Sequence, residues 1–513
     1  MTTYDPRHRR RAFLGAGVRL LTGATLSRST IAPHLGRTMD LTLTTVDGGS
    51  TRVSGQAIAA LGAALHGDLL VADAADYDAA RRIWNAAIDR RPALIARCAD
   101  AHDVAHAIRF AAHHDALVSV RGGGHLAAGF AVCDGGLLID LTRVHEVDVD
   151  ADRRLARVGG GATSGDLDAA ADRAGLATTG PIISMVGVGG FTLGGGMGWL
   201  HRALGLGCDR LASAEIVTAD GRVLEASADR HPDLFWALRG GGGNFGVVTR
   251  LDLRLAPIPA VVAGLVVHPL EDLPAVAAAV RSFNATAPDD VGVWLMTRKA
   301  PASAALPTTI HGRPVAIVAI CYAGRLDAAD RVLEPLRRAG RPLVDLVKAR
   351  PYAEWQRALD GSWGPGFGNQ WLGHYLPELT DAAAATLLEH VSRVSSPFSD
   401  VKLITLGGAM ARVGAGETAF SHRTARYALA IQTRWPAGDD PAPHLAWSAA
   451  LFTALGPHAT GQAYVNFMAD EGPARVADAY DADALRRLRA IKAAYDPRNR
   501  FRLNQNIQPA SAL

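Results

Sequence analysis

Apolar and polar positions alternate in short blocks along most of the chain. Between Pro92 and Phe130 a short apolar run, Leu94–Arg97, is followed by Asp103–His113, which puts Val104, Ala107, Ile108 and Ala111 on one helical face. A second apolar run, Leu117–Val120, comes next, so the pattern predicts strand, helix, strand. Ala79–Ala87 reads as a helix ahead of them, and Leu137–Leu141 and Ala156–Val158 as strands after them. "SGDLDAAADRAG" reads as a capped helix, with Ser164 as cap and Gly175 where helices stop. "ASAEIVTADGRVLEAS" predicts a hairpin around Asp220-Gly221, and "FGVVTRLDLRL" a long strand.

The texture changes at Ala256–Gly264, where two prolines punctuate the sequence. Beyond it, strands such as Val315–Cys321 and Val401–Leu406 alternate with Ala-rich amphipathic stretches. A chain of 513 residues is too long for one hydrophobic core. The division expected is an N-terminal extension over 1–70, a first domain over 71–256, a second α+β domain over 257–457, and a return to the first over 458–513.

Composition narrows the function. A 49% apolar and 20% charged make-up is ordinary for a globular protein, and a net charge of +3 gives no basic channel for nucleic acid. Cys98, Cys133, Cys208 and Cys321 lie far apart, without a CxxC pair, so neither a disulfide framework nor a zinc site is expected, and no metal. No stretch is long and apolar enough to span a bilayer. "RRRAFLG" (Arg9 to Gly15) has the look of a twin-arginine export signal, but Arg19 interrupts the apolar run behind it. A basic, disordered extension of a cytoplasmic protein is the other reading, and both stay open.

Three glycine-dense stretches stand out: "RGGGH" (121–125), "VGVGGFTLGGGMG" (186–198) and "RGGGGNFGVV" (239–248). Glycine loses more backbone freedom on folding than any other residue. Three such stretches within one half of the chain suggest backbone brought close to a large ligand, and bare N–H groups suit anionic oxygens. A dinucleotide meets both demands. "GGGNFG" satisfies G-x-G-x-x-G, yet a helical stretch precedes it and a strand follows, the reverse of the Rossmann order. No glycine loop continues into GK[ST], no HExxH is present, and "GATSG" has Thr163 where a nucleophile elbow needs serine. Taken alone, "RGGGH" fits a strand-ending turn equally well.

The order of the motifs decides between these. "RGGGH", "CDGGLLIDL", "VGGGATSGDL", "TTGPIISMVGVGGFTLGGGMG", "VTADGRVL", "DLFWALRGGGGNFGVVT" and "YDPRNRFRLNQNI" together resemble the berberine-bridge-enzyme-like FAD-linked oxidases of the vanillyl-alcohol-oxidase, or PCMH-type, superfamily. The likeness runs from about Pro92 to Pro257 and again from about Ala463 to Ile507. It implies a two-domain α+β PCMH-type FAD-binding fold with an antiparallel-sheet substrate domain. It also implies FAD bound covalently from the His125 ring to the flavin 8α-methyl, a tether that makes the flavin a stronger oxidant. Many relatives add a cysteine tether three residues before the "VGVGG" valine. Here that position is Ile183, so attachment through His125 only is expected. Val186 corresponds to the family's oxygen gate, and valine there resembles the oxidases.

The resemblance also assigns the remaining site. Arg121, Gly122, Gly123, Gly124, Gly189, Gly190, Gly195 and Gly243 are expected to contact the cofactor, with Asn504 and Asn506 sealing the flavin. "AYVNF" matches a Tyr-x-Asn segment and makes Tyr464 the candidate base, provided that nearby charge or hydrogen bonds stabilise its anion. Ala428 stands where plant relatives place a glutamate. Gln370, Trp371, His374, Tyr375 and Gln432 are the substrate-side candidates, and strand alternation would point Gln370, Leu372 and His374 one way. The activity implied is hydride transfer from the C–H of an alcohol, or of an amine, to FAD, with molecular oxygen reduced to hydrogen peroxide. Secondary-metabolite or carbohydrate alcohols lead and nicotine-type amines follow. A dehydrogenase with another acceptor and a non-catalytic flavin carrier are the rivals. The oligomeric state is not readable.

Overall fold

The computed structural model describes residues Met39 to Ala510, so the export-signal reading of Arg9–Gly15 lies outside the described residues. Within the stretch assigned to an N-terminal extension, residues 41–70 are folded. Strands Leu41–Thr44 and Ser50–Val53 pair antiparallel, and the helix Gly55–Ala64 follows with Ser54 capping it. Leu43, Val53, Ile58 and Leu61 enter one core with Leu94, Val104 and Ile139. Their apolar spacing was too loose to be read as elements.

Around that core lies a four-stranded sheet ordered Asp68–Leu70, Leu94–Arg97, Leu137–Asp140, Val118–Arg121. The last three strands run parallel. They are largely buried on both faces, as a parallel sheet covered on both sides requires. The helix Ala101–His113 makes the crossover and buries Val104, Ala107, Ile108 and Ala111, while Asp100 caps it by accepting from Asp103 N. Val118–Arg121 then runs straight into the glycines before His125. In open parallel sheets ligands bind at this carboxyl edge.

A five-stranded antiparallel sheet stands beside it, ordered Val223–Ser227, Leu211–Val217, Val247–Arg254, Leu155–Gly159, Val147–Asp150. The expected hairpin is present, with Gly221 at φ +77° in its turn. The helix Ser164–Asp172 is capped by Thr163 rather than Ser164, because Thr163 keeps extended backbone and exchanges hydrogen bonds with Asp166.

The third layer is a large antiparallel sheet built mostly between Ala260 and Pro436. Four of its strands run side by side in the order Val291–Lys299, Asp400–Thr405, Tyr427–Pro436, Phe367–Leu376. One face, with Val293, Leu403, Leu429 and Ile431, packs on the helices Leu273–Thr286, Asp381–Ser392 and Ala442–Leu455. The other, with Trp294, Ile404, Ala428 and Ala430, faces Met197, Tyr464 and Phe467. The C-terminal helix Ala482–Tyr495 joins the core of the five-stranded sheet through Leu488 and Ile491, and Ile507 N donates to Asn244 Oδ1 (2.8 Å).

One element differs in a way that matters for the site. Ala79–Ala87 is not one helix: the helix is Tyr77–Arg81, and the chain is non-helical from Arg82. Trp84 and Asn85 make tertiary bonds there that helical propensity does not register.

Candidate active site

Arg121 ends its strand with the guanidinium held by Asp140, through Nε–Oδ1 (3.0 Å) and Nη2–Oδ2 (2.5 Å). Both side chains are buried, so the pair fixes the strand end from which the glycines depart. Gly123 and Gly187 approach backbone to backbone: a Cβ on Gly123 would lie 2.4 Å from Gly187 N, and one on Gly187 2.5 Å from Gly123 N. Among the described residues the N–H groups of Gly122, Gly123 and Gly124 donate to no acceptor.

Beyond this contact opens a cavity of about 300 Å³. All three glycine stretches reach it, at Gly122–Gly124, Gly187–Gly190 and Gly241–Gly243. Gly190 and Gly243 would meet no protein atom within 4 Å if given a Cβ, so nothing in the protein demands glycine there. Both positions instead leave room beside the cavity. Bare glycines around free N–H groups fit a pyrophosphate-bearing dinucleotide.

His125 lines the same cavity and is 9% exposed. Burial pulls its pKa down to about 3, so the imidazole is neutral at any ordinary pH. Its Nε2 is buried without a hydrogen-bond partner. An unpartnered imidazole nitrogen in a buried site needs an explanation.

The substrate-side wall comes from the large sheet. Trp371, Gln432 and Asp400 are successive cross-strand partners, so they share a face, and Lys402 follows on that face two residues on. Lys402 Nζ donates to Asp400 Oδ1 (2.7 Å) and to Gln432 Oε1, and sits 4.0 Å from the Trp363 ring centre. Burial pulls the ammonium down to about 8 against the pull of Asp400. Among the described residues Lys402 is the one charged side chain lining the cavity, and no carboxylate lines it.

Tyr464 lines the cavity from the opposite side. Its phenolic oxygen accepts from Gly196 N (2.9 Å), Met197 N (3.2 Å) and Asn466 Nδ2 (3.0 Å). Those bonds favour the anion, yet burial outweighs them and pushes the phenol up to about 12. The condition set for a tyrosine base is therefore not met in the free protein: the hydroxyl stays protonated at neutral pH.

Of the residues expected at the site, Gly122, Gly123, Gly124, His125, Val186, Gly189, Gly190, Gly243, Asn504, Trp371, Gln432 and Tyr464 line this one cavity. The others do not. Arg121 is held by Asp140. Gly195, at φ +127°, packs beneath Phe420 and Tyr464. Asn506 also lies off the cavity wall, its Oδ1 buried without a partner. Gln370 and His374 share a strand face as alternation required, but it is the helix-packed face: Gln370 Oε1 accepts from Ser448 Oγ, and His374 Nε2 bonds Phe452 O. Tyr375 is buried in the apolar core away from the cavity. Lys402, Trp294 and Trp363 line the cavity and were not read from the sequence.

The FAD binding domain model matches residues 92–227, and the berberine and berberine-like model matches 463–508. (R)-6-hydroxynicotine oxidase of Paenarthrobacter nicotinovorans is 34% identical over 462 residues, 87% of this chain and 97% of that one. The chain belongs to the berberine-bridge-like family of FAD-linked oxidoreductases. Solved structures share the fold: 6-hydroxy-D-nicotine oxidase from Arthrobacter nicotinovorans superposes with a TM-score of 0.78 at 31% identity, covering 87% of this chain and 98% of that one. A carbohydrate oxidase from Microdochium nivale superposes at 0.79 with 23% identity, covering 89% and 100%. As an FAD-linked oxidoreductase the chain is an enzyme.

Proposed function

We propose that this protein is an oxidase of a small organic amine, with FAD attached through His125 alone and molecular oxygen as the electron acceptor. When bound, FAD supplies the hydride acceptor and the route by which electrons reach oxygen as hydrogen peroxide. The neutral, unpartnered imidazole of His125 supports the tether, and Ile183, not a cysteine, lines the cavity. Val186 on the cavity wall supports access for oxygen.

The choice of amine rests on one observation: the cavity offers a cation and no carboxylate. Alcohol oxidation needs a base for the hydroxyl proton. Tyr464 is held as a phenol, and Ala428 stands where a glutamate would have served. An amine needs no such base, because its nitrogen lone pair drives hydride loss, provided the amine is bound neutral. The Lys402 ammonium, which reaches the cavity while Asp400 behind it does not, lowers the pKa of a bound amine as far as Asp400 leaves its charge unscreened. The relative that is 34% identical over 462 aligned residues is named for a hydroxynicotine, whereas the carbohydrate oxidase shares fold alone. One observation favours a second reading, an alcohol substrate: Lys402, near pKa 8, is itself within range of a general base.

The deciding experiment is an anaerobic screen of amines, alcohols and sugars for bleaching of the flavin, run beside mass measurement of the denatured chain. Bleaching by amines, rapid recolouring in air and a chain heavier by one FAD support the proposal. Bleaching by alcohols alone overturns the substrate class. Slow recolouring overturns the oxidase, and a bare peptide mass overturns the tether.

A further inference from the structure

The segment just after the helix Tyr77–Arg81 has no role in the function derived above, yet it touches the His125 loop at three successive points. Arg82 O accepts from Arg121 Nη1 (3.0 Å), Trp84 N donates to Gly124 O (3.2 Å), and Asn85 Nδ2 donates to Ala127 O (2.6 Å). The same segment is tied to the large sheet. Trp84 Nε1 donates to Trp363 O (2.8 Å), Asn85 Nδ2 donates to Asn369 O (2.8 Å), Asn369 N donates back to Asn85 Oδ1 (2.9 Å), and Ala86 N donates to Phe367 O (2.9 Å). Held from both sides, Trp84 lays its indole on the His125 imidazole, with ring centres 4.0 Å apart and planes 18° from parallel. The Arg434 guanidinium lies 5.8 Å from the centre of the same indole. No hydrogen bond orients His125 through Nε2. The ring's other aromatic contact is Trp371, edge-on with ring centres 6.4 Å apart.

We propose that Trp84 is a positioning residue for flavin attachment: its ring fixes the plane of the His125 imidazole so that a ring nitrogen meets the flavin methyl carbon. This rests on the reading that His125 carries the flavin. In that reaction a C–N bond forms, one methyl C–H bond and the imidazole N–H bond break, and two protons and two electrons are released. The electrons pass through the flavin to molecular oxygen, which takes both protons and leaves as hydrogen peroxide. An imidazole free to rotate about its side-chain bonds would meet the methyl in the right orientation only part of the time, which is the loss that fixed geometry removes.

The test uses the full chain, with flavin content divided into covalent and washable fractions by acid denaturation and intact mass. Trp84→Leu keeps an apolar side chain and removes the stacking face; Trp84→Phe keeps a stacking face. We expect Trp84→Leu to bind FAD but to lower the covalent fraction at least tenfold over a fixed incubation, and Trp84→Phe to restore most of it. A merely structural role would lower both fractions together. A covalent fraction in Trp84→Leu equal to that of the unaltered protein overturns the proposal. Should Trp84→Leu fail to fold, the attachment rate in Trp84→Phe and Trp84→His decides: a graded slowing with flavin affinity unchanged supports it, and an unchanged rate in both overturns it. An unaltered protein without covalent flavin, or one still tethered after His125→Ala, instead sinks the reading of His125.

Discussion

Lys402 is the residue on which the substrate argument turns. Fully buried lysines are rare unless paired, and this one is compensated by Asp400 two positions away on its strand. Removing the ammonium alone would strand a buried carboxylate, so the informative variant is Asp400→Asn with Lys402→Met together. We expect its kcat/KM at pH 7 to fall ten- to a hundredfold, the factor matching a rise of about one to two units in the pKa of the bound amine. In the unaltered enzyme the same rate constant should decline as pH rises through about 8, where Lys402 loses its proton. That limb should vanish in the double variant. A limb that persists there belongs to another group. Tyr464 gives the opposite contrast. A general base contributes about 10²–10⁴-fold, but a phenol near 12 is not ionised at neutral pH. Tyr464→Phe should therefore cost less than about tenfold in kcat with amines, and a hundredfold loss would restore the tyrosine base. The substitution also leaves three N–H donors without their shared acceptor, so some loss of thermal stability is expected alongside.

At the scale of elements, the glycine stretches divide into those the fold needs and those the cofactor needs. Gly123 and Gly187 meet backbone to backbone, whereas Gly190 and Gly243 face open cavity. Gly190→Val and Gly243→Val should fold with unchanged circular dichroism yet carry little flavin absorbance per chain. Gly123→Val should fail to accumulate as folded protein. Equal flavin content in all three would mean that the cavity does not hold the dinucleotide where we place it. The strands Leu94–Arg97 and Val118–Arg121 were legible as short runs rich in apolar residues on either side of a helical pattern. The strand Phe367–Leu376 was legible as an alternation, but not which face meets the ligand. That depends on strand order: Trp371 faces the cavity because Tyr427–Pro436 and Asp400–Thr405 place Gln432 and Lys402 beside it. Lys402 was missed for the same reason, since beyond Asp400 its partners Gln432 and Trp363 come from distant parts of the chain. Trp84 was read as part of a helix because its bonds to Gly124 and Trp363 are tertiary.

For the whole molecule, the order of glycine motifs carried the family, because each marks an approach to one ligand from a different part of the chain. What the sequence did not disclose is how distant elements lock onto one another. Asp168, on the helix Ser164–Asp172, is buried against the helix Tyr352–Arg357 and accepts from Gln356 Nε2 (3.2 Å). Burial pushes its carboxyl up to about 7, with the Gln356 hydrogen bond opposing. The folded protein thus holds this proton more tightly than the unfolded chain, whose aspartates titrate near ~3.9. Between those two values the native state binds more protons, so stability falls as pH rises. The contribution is complete below about 4, is lost progressively toward 7, and does not change above it. The full span corresponds to roughly 4 kcal/mol at most, which is a few degrees in the melting temperature of a chain this size. Asp168→Asn removes the titration and keeps a group able to bond Gln356. Melting temperatures measured from pH 4.5 to 8 should fall more steeply for the unaltered protein than for this variant, and the two curves should separate most above pH 7. Parallel curves would mean that Asp168 is ionised in the native state, with its charge met by a partner that the packing of these two helices does not provide.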